Sequence, residues 1–379
     1  MAESSGPHEV FLYDRSGARY GITEPRWRGD DGTPLSYSEL SGITPDEIEG
    51  TIRTMWRYRR AFPPGLNDMV TLGEGCTPLV KKDWHGIPVL FKLEGCNPTG
   101  SFKDRGTSAL ISGLLSQGVR SLVEDSSGNA GASIGAYAAA AGISARIIVP
   151  NATSTSKLVQ MKTYGAEVVR VGKSRAETAA YALHEAERVF YASHNWHPLF
   201  IQGTKSIAYE LWEDLGFRAP DHLVLVAGSG SLVLGCALGF GELLGHKQIT
   251  KLPRLLVAQP ANCSPLVRAF QTGADRVSPR EWIPSIAEGA SVSQPVRDLE
   301  VLAAIRASGG AVVAVTEEEI RSATRELGGM GIYVEPTSAT AAAAVEKFRA
   351  LDPFEDLGTT VVVLTGSGLK ATDTIAEIL

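Results

Sequence analysis

The chain is short of the residues that mark a stapled, metal-built or membrane-bound protein. Only four cysteines occur among 379 residues, Cys76, Cys96, Cys236 and Cys263, and no two form a Cys-x-x-Cys pair. They offer neither a disulfide framework nor a thiolate metal site, so they read as free thiols in a reducing, cytoplasmic setting, and no metal is assigned. No run of about eighteen apolar residues exists, which gives no reason to expect a membrane span. Met1-Ala2-Glu3-Ser4-Ser5 lacks the basic start and apolar core of a secretory signal. A basic excess is also missing: the net charge is −6, which argues against a nucleic-acid partner. What is present is ordinary for a globular protein, with 44% hydrophobic and 21% charged residues. The length is enough for two domains.

Periodicity gives an alternation of strands and helices. Val10-Phe11-Leu12-Tyr13 and the turn Gly29-Asp30-Asp31-Gly32-Thr33-Pro34 suggest short strands and turns over residues 8–40. Thr44 before Pro45-Asp46-Glu47 predicts a helix over 45–61. A strand is expected at 89–93, then helix 103–117, strand 120–124, helix 130–141, strand 145–149, helix 154–164, strand 167–171 and helix 174–189. Helix 203–215, strand 222–227, helix 232–244, strand 254–258, a helical region at 264–272 and a last strand at 360–364 follow. This rhythm predicts α/β architecture on parallel sheets. Three loops then fall at carboxyl ends of parallel strands, at 125–129, 228–231 and 365–368, where open α/β sheets bind ligands.

The densest chemistry lies in Asn97-Pro98-Thr99-Gly100-Ser101-Phe102-Lys103-Asp104-Arg105-Gly106. A lysine at the start of a helix sits at the positive end of the helix dipole, which suits an anion better than a cation. Such a lysine can be the amine that forms a Schiff base with pyridoxal phosphate. The plainer reading is a solvated first-turn lysine balanced by Asp104, and spacing alone favours it. Gly228-Ser229-Gly230-Ser231 joins an apolar strand to a helix and could cradle a phosphate, or be a tight turn. Ser126-Ser127-Gly128-Asn129-Ala130 could hold a substrate carboxylate and a ring hydroxyl, or simply cap a helix. Thr365 could face a pyridine nitrogen, or end a strand. His194 and His197 read as structural residues near the site, and Glu335 as a pocket wall or a buried, paired carboxylate.

Together these motifs resemble the threonine synthase-like enzymes of the tryptophan synthase β group, the fold type II pyridoxal-phosphate enzymes. The order and spacing of the segments around Lys103, Ser127-Gly128-Asn129, Gly228 to Ser231 and Thr365-Gly366-Ser367-Gly368-Leu369-Lys370 carry the resemblance. Leu72-Gly73-Glu74-Gly75-Cys76-Thr77-Pro78-Leu79, Gly203 to Glu210 and Tyr333-Val334-Glu335-Pro336-Thr337-Ser338-Ala339 extend it, so that it covers the chain from about residue 70 onward. The resemblance implies two doubly wound α/β domains with the cofactor between them. The smaller would span 107–200, the larger 45–106 and 201–379, and residues 1–44 would form a small N-terminal segment. It implies pyridoxal 5'-phosphate on Lys103, its phenolic oxygen at Asn129, its phosphate at Gly228, Ser229, Gly230 and Ser231, and its ring nitrogen at Thr365. Ser126, Ser127, Gly128, Asn129 and Ala130 would bind the substrate.

The activity implied is conversion of O-phosphohomoserine and water to threonine and phosphate, by a homodimer acting on a small phosphorylated amino acid. Two departures touch the substrate side. Ser367 stands where histidine is usual in the last motif, and Ala130 where threonine is frequent. They motivate an alternative of β-replacement or β-elimination on O-phosphoserine, serine or threonine. A non-catalytic sensor would be favoured by a missing lysine, but Lys103 is present. Finally, Tyr20 to Leu35 looks like the zinc-ribbon module of some relatives, yet no cysteine precedes Cys76. A metal-free remnant packed on the body is expected there.

Overall fold

The computed structural model describes residues 9–173, 175–351 and 358–379. The first two expectations to meet its limits are the extreme N-terminus and residue 174 at the head of a helix, which lie outside the described residues. Three two-residue strands, β1 (Leu12–Tyr13), β2 (Arg19–Tyr20) and β3 (Ser36–Tyr37), form a small antiparallel sheet of order β2-β1-β3. Then come β4 (Leu79–Trp84), β5 (Ile87–Leu93), α1 (Lys103–Ser116), β6 (Ser121–Glu124), α2 (Asn129–Ala140), β7 (Ser144–Val149), α3 (Thr155–Thr163) and β8 (Glu167–Arg170). They are followed by α4 (Arg175–Glu185), β9 (Phe190–Tyr191), α5 (Pro198–Thr204), α6 (Ser206–Asp214), β10 (His222–Val226), α7 (Ser231–Gly245), β11 (Arg254–Pro260) and α8 (Pro265–Gln271). The last part holds α9 (Asp298–Ala307), β12 (Ala311–Val315), α10 (Glu317–Gly329), α11 (Pro336–Ala343), α12 (Val345–Arg349), β13 (Thr360–Leu364) and α13 (Thr372–Ala376).

Two larger sheets organise these elements. A six-stranded sheet has the order β12-β11-β10-β13-β5-β4, parallel except for the β4–β5 hairpin. A four-stranded, all-parallel sheet has the order β8-β7-β6-β9. Successive strand residues point to opposite faces, and in the large sheet both faces are covered. Leu223, Leu225, Leu255, Val257, Val361 and Val363 pack with Trp212, Phe240 and Leu302 in one core. Val224, Val226, Leu256, Ala258, Val362 and Leu364 pack with Ile320, Leu327 and Phe348 in another. Burial on both sides is what a parallel sheet requires, and it is the doubly wound α/β class expected from the sequence.

The predicted helix over 45–61 does not form. Its residues make a turn of 3-10 helix at Pro45–Glu47 and another at Met55–Ala61. The capping signal was real, for Glu47 bonds back to the Thr44 N–H at 2.9 Å. Tertiary bonds then take over: Met55 N–H donates to the Glu74 carbonyl at 2.8 Å and Trp56 Nε1 to Ser108 Oγ at 3.0 Å. The expected helix over 203–215 is likewise divided, α5 ending and α6 beginning around Lys205.

The N-terminal segment packs on the body. Arg15 pairs with Glu300 of α9 at 2.8 Å, and Trp27 meets the rings of Tyr191 and Trp196 edge-on at 5.0 and 5.4 Å. Arg297 Nη2 donates to the carbonyls of Leu35 and Trp196, each at 2.6 Å. Among the described residues, no helix is long and apolar enough to cross a membrane.

Candidate active site

Backbone bonds fix the lysine segment against the end of β13. Phe102 N–H donates to the Thr365 carbonyl and Ser367 N–H to the Gly100 carbonyl, both at 2.9 Å. Beneath this seam lies Arg105, fully buried between two carboxylates. Its Nε and Nη2 reach Glu94 at 2.7 and 2.8 Å, and its Nη1 and Nη2 reach Glu210 at 2.9 and 3.0 Å. Cys76 and Thr77 N–H groups and Lys92 Nζ complete the shell of Glu210 at 2.7–2.8 Å. Burial opposes the guanidinium charge, but the Glu210 and Glu94 carboxylates outweigh it and hold Arg105 above its ordinary range. A buried ion cluster of this kind persists only when every donor is matched; it anchors the first turn of α1.

Asp104 does not act as a solvated counter-charge for Lys103. It is buried, and its carboxylate accepts from Thr99 N–H at 2.7 Å, Thr99 Oγ1 at 2.5 Å and Ser133 Oγ at 2.6 Å. Burial pushes its carboxyl up to about 6 against those bonds. Lys103 is half-buried, with Nζ 4.7 Å from the Phe102 ring centre and 5.5 Å from that of Phe200. The plainer reading therefore fails for Asp104, whose carboxylate is buried and bonded to Thr99 and Ser133, while Lys103 is half withdrawn from solvent.

Neither Gly/Ser loop caps its helix with a side chain, and the 228–231 loop is a tight turn as well as a helix opening. No side chain caps the fifteen-residue α7, so its first-turn N–H groups lack partners within the helix. Gly230 turns the chain at φ +89, and a Cβ there would lie 2.3 Å from Val301 Cγ2. At α2 the capping position is Gly128, again without a side-chain bond. Ser126 Oγ instead accepts from Gly128 N–H at 3.3 Å, inside the loop. Ser127, Asn129 and buried Ala130 sit beside it.

Thr365 is buried at the end of β13, its Oγ1 3.0 Å from Ser338 Oγ, which also accepts from Gly366 N–H at 2.7 Å. Asn129 Nδ2 donates to both Glu335 carboxylate oxygens at 3.0 Å, across from the four-stranded unit to the head of α11. Glu335 is thus the buried, paired carboxylate that was one of its two readings. Burial raises its pKa, and the Asn129 bond and the charges of Lys370 and Lys103 oppose that rise. Gly366 makes room for it, since a Cβ there would fall 2.5 Å from Oε1.

The structure therefore joins Lys103 to Thr365 through the backbone seam, and Asn129 to Glu335. Gly228 to Ser231 share no described hydrogen bond with the lysine segment; parallel pairing of β10 with β13 relates them. His197 caps α5, accepting from Leu199 N–H at 3.2 Å, and burial pushes its imidazole down to about 3, a structural neutral ring. Sequence reasoning missed three groups: Ser338 at Thr365, the Lys370–Gln160 contact with the Thr99 carbonyl, and the pairing of Glu124 with His194. The signal for the last was an acid ending the apolar strand Leu122-Val123.

An uncapped helix start behind a left-handed glycine, a neutral hydroxyl pair, a side-chain amide and a half-buried amine fit the phosphate, ring nitrogen, phenolic oxygen and aldehyde of pyridoxal phosphate. Comparison with known proteins agrees. The family model for pyridoxal-phosphate dependent enzymes matches residues 70–366. Threonine synthase of Methanosarcina acetivorans is 31% identical over 351 residues, covering 90% of this chain and 86% of that protein. Threonine synthase of Methanocaldococcus jannaschii is 33% identical, covering 89% and 86%. A fungal L-serine ammonia-lyase from Rhizomucor miehei shares the fold, with a TM-score of 0.70 at 22% identity over 80% of this chain and 97% of that one. With a match over most of its length and relatives of this similarity, the chain belongs to the pyridoxal-phosphate dependent enzymes of fold type II, among their threonine synthase-like members.

Proposed function

We propose that this protein is a threonine synthase, converting O-phosphohomoserine and water to threonine and phosphate. The observation that carries the proposal is the near full-length similarity to threonine synthases, 31–34% identical over 81–92% of the chain. Pyridoxal phosphate, when bound, supplies an electron sink for the charge left when a substrate proton departs. The protein's residues do the rest. Lys103 would hold the cofactor through its amine and, when that amine is free, would carry protons to and from the substrate carbons. N–H groups of Gly228 to Ser231 hold the cofactor phosphate at the head of α7. Asn129 Nδ2 has two protons, so it can serve the phenolic oxygen while keeping Glu335. Thr365, neutral and fixed by Ser338, would hold the ring nitrogen without forcing a charge on it. N–H groups of the loop Ser126 to Ala130 take the substrate carboxylate. Cβ gives up a proton, the Cγ–O bond breaks with its electron pair leaving on phosphate, Cγ takes up a proton to become the methyl group, and the oxygen of water bonds to Cβ while the remaining water proton ends on the released phosphate.

Residues 107–200 act as the smaller domain, closing on 45–106 and 201–379 to exclude bulk water. The enzyme works as a cytoplasmic homodimer, which sedimentation of the purified protein tests. Turnover is tested by incubating the cofactor-loaded enzyme with O-phosphohomoserine and measuring threonine and phosphate. Lys103→Ala is expected to abolish the Schiff-base absorbance and the activity. Full cofactor loading without phosphate release would reject the substrate.

One observation favours a second reading. Ala130 presents no hydroxyl, and Ser367, whose Oγ accepts from Leu369 N–H at 3.3 Å, offers one neutral hydroxyl where the family pattern has histidine, so these loops carry fewer polar groups for a distal phosphate than that pattern does. β-Elimination or β-replacement on O-phosphoserine, serine or threonine would then be the reaction, elimination being read as release of ammonia and keto acid and replacement as a new amino acid carrying the added nucleophile at Cβ.

A further inference from the structure

Glu124 is the last residue of β6 and is fully buried beside the substrate loop. Its Oε1 lies 2.7 Å from His194 Nδ1, and its Oε2 accepts from His194 N–H at 3.3 Å. The stretch bearing His194 is held there because β9 pairs with β6 and Ala192 N–H donates to the Val123 carbonyl at 2.9 Å. The imidazole packs edge-on to Phe200 with ring centres 5.7 Å apart, and Lys103 Nζ lies 5.5 Å from the same ring. The amine and the imidazole thus lie against one aromatic side chain, and the Lys103 charge acts on the Glu124 carboxyl paired with that imidazole.

A purely structural role would make Glu124 a staple for the turn after β9. That turn closes without it, since Trp196 and His197 N–H groups donate to the Ser193 carbonyl at 3.1 and 3.0 Å. Burying a carboxylate costs several kcal/mol, a poor exchange for one extra turn bond. Buried, perturbed acids beside a reactive amine are instead a mark of proton chemistry.

We propose that Glu124 and His194 form a buried carboxylate–imidazole pair that sets the protonation of Lys103. The proposal rests on Lys103 being the cofactor's lysine. The pair holds one proton between its two members and becomes negative on losing it. A negative charge near an amine favours the amine's protonated form, so the pair keeps a proton on Lys103 at pH values where it would otherwise leave. The charged and titratable groups around Glu124 are Lys103 from α1, His194, its neighbour Asp125, and Tyr191 of β9, whose hydroxyl donates to Asp125 at 2.8 Å. Burial pushes the Glu124 carboxyl up to about 8, with the His194 N–H and the Lys103 charge opposing.

The test is a pH titration of the Schiff-base absorbance in the cofactor-loaded protein. In Glu124→Gln the protonated form is expected to disappear about one pH unit lower than in the wild type. His194→Gln should move the same way by less, because it leaves the carboxylate without its donor, and Glu124→Asp should recover part of the shift. A change that only loosened the turn would not move this titration. Superimposable curves for wild type and both glutamine variants would overturn the pair's role while leaving Lys103 in place. A loaded wild type with no Schiff-base absorbance would instead overturn the reading of Lys103, and the pair's role with it. If one variant does not fold, the other reports the same sign.

Discussion

At the scale of single residues, Glu124 ties stability to pH in a direction opposite to that of most carboxylates. Its folded-state value of about 8 lies above the ordinary 4.5, because burial disfavours the charge. Between those values the folded state keeps a proton that the unfolded state has lost. Stability is therefore full below about pH 4.5, as far as this group is concerned, and falls as pH rises toward about 8. Glu124→Gln should flatten that fall and be more stable than the wild type above pH 8 by on the order of a few kcal/mol. Denaturant unfolding of both proteins at acid and alkaline pH measures it; equal slopes of stability against pH would refute it. A functional residue kept at a cost in stability is a known pattern. Arg105 shows the contrary case, a buried charge whose partners are complete.

At the scale of elements, the start of α7 is the most exacting. Gly230 combines a left-handed φ with a Val301 methyl where a side chain would begin. Gly230→Ala should cost about 2–4 kcal/mol of stability and weaken cofactor binding by about tenfold, as the first-turn N–H groups tilt away. Fluorescence titration of the stripped protein with pyridoxal phosphate reads the second effect; unchanged affinity would remove α7 from the phosphate site. Much of this layer was legible in the sequence. Apolar runs and glycine turns located β6, β10, β13 and their loops to within a residue or two, because strands buried on both faces must be continuously apolar. The region 45–61 was not legible, since its caps are local but its course is set by Glu74 and Ser108, distant in the chain. Ser338 was hidden for the same reason. Nothing local says that a serine in α11 will meet Thr365. Loops 126–130 and 228–231 were visible as polar helix openings; the missing side-chain cap at α2 removes the capping explanation for the first, while the left-handed turn at Gly230 is what the sequence of the second announces.

At the scale of the whole molecule, polar clasps join the two large sheets beside the packing of α5 on α7. Asn129 reaches Glu335, Ser133 reaches Asp104, and Gln160 of α3 is bonded to Lys370 and to the Thr99 carbonyl. Burial lowers the Lys370 pKa, and Glu335 and Asp104 counter it, so this clasp depends on its neighbours. Gln160→Ala should speed hydrogen exchange in α3 while changing global stability by no more than about 1 kcal/mol. Mass spectrometry of exchanging peptides reads it, and unaltered α3 protection would show that the clasp restrains nothing. The N-terminal segment adds a restraint of another kind. It grips α9 through Arg15 and Glu300, and the far side of the four-stranded sheet through Trp27 on Tyr191 and Trp196. A strap fastened at both ends stores work when its anchors separate. With one hold on a helix of the six-stranded sheet and the other on β9 of the four-stranded sheet, the segment is a tether between the two sheets, made of one ion pair and three edge-on rings.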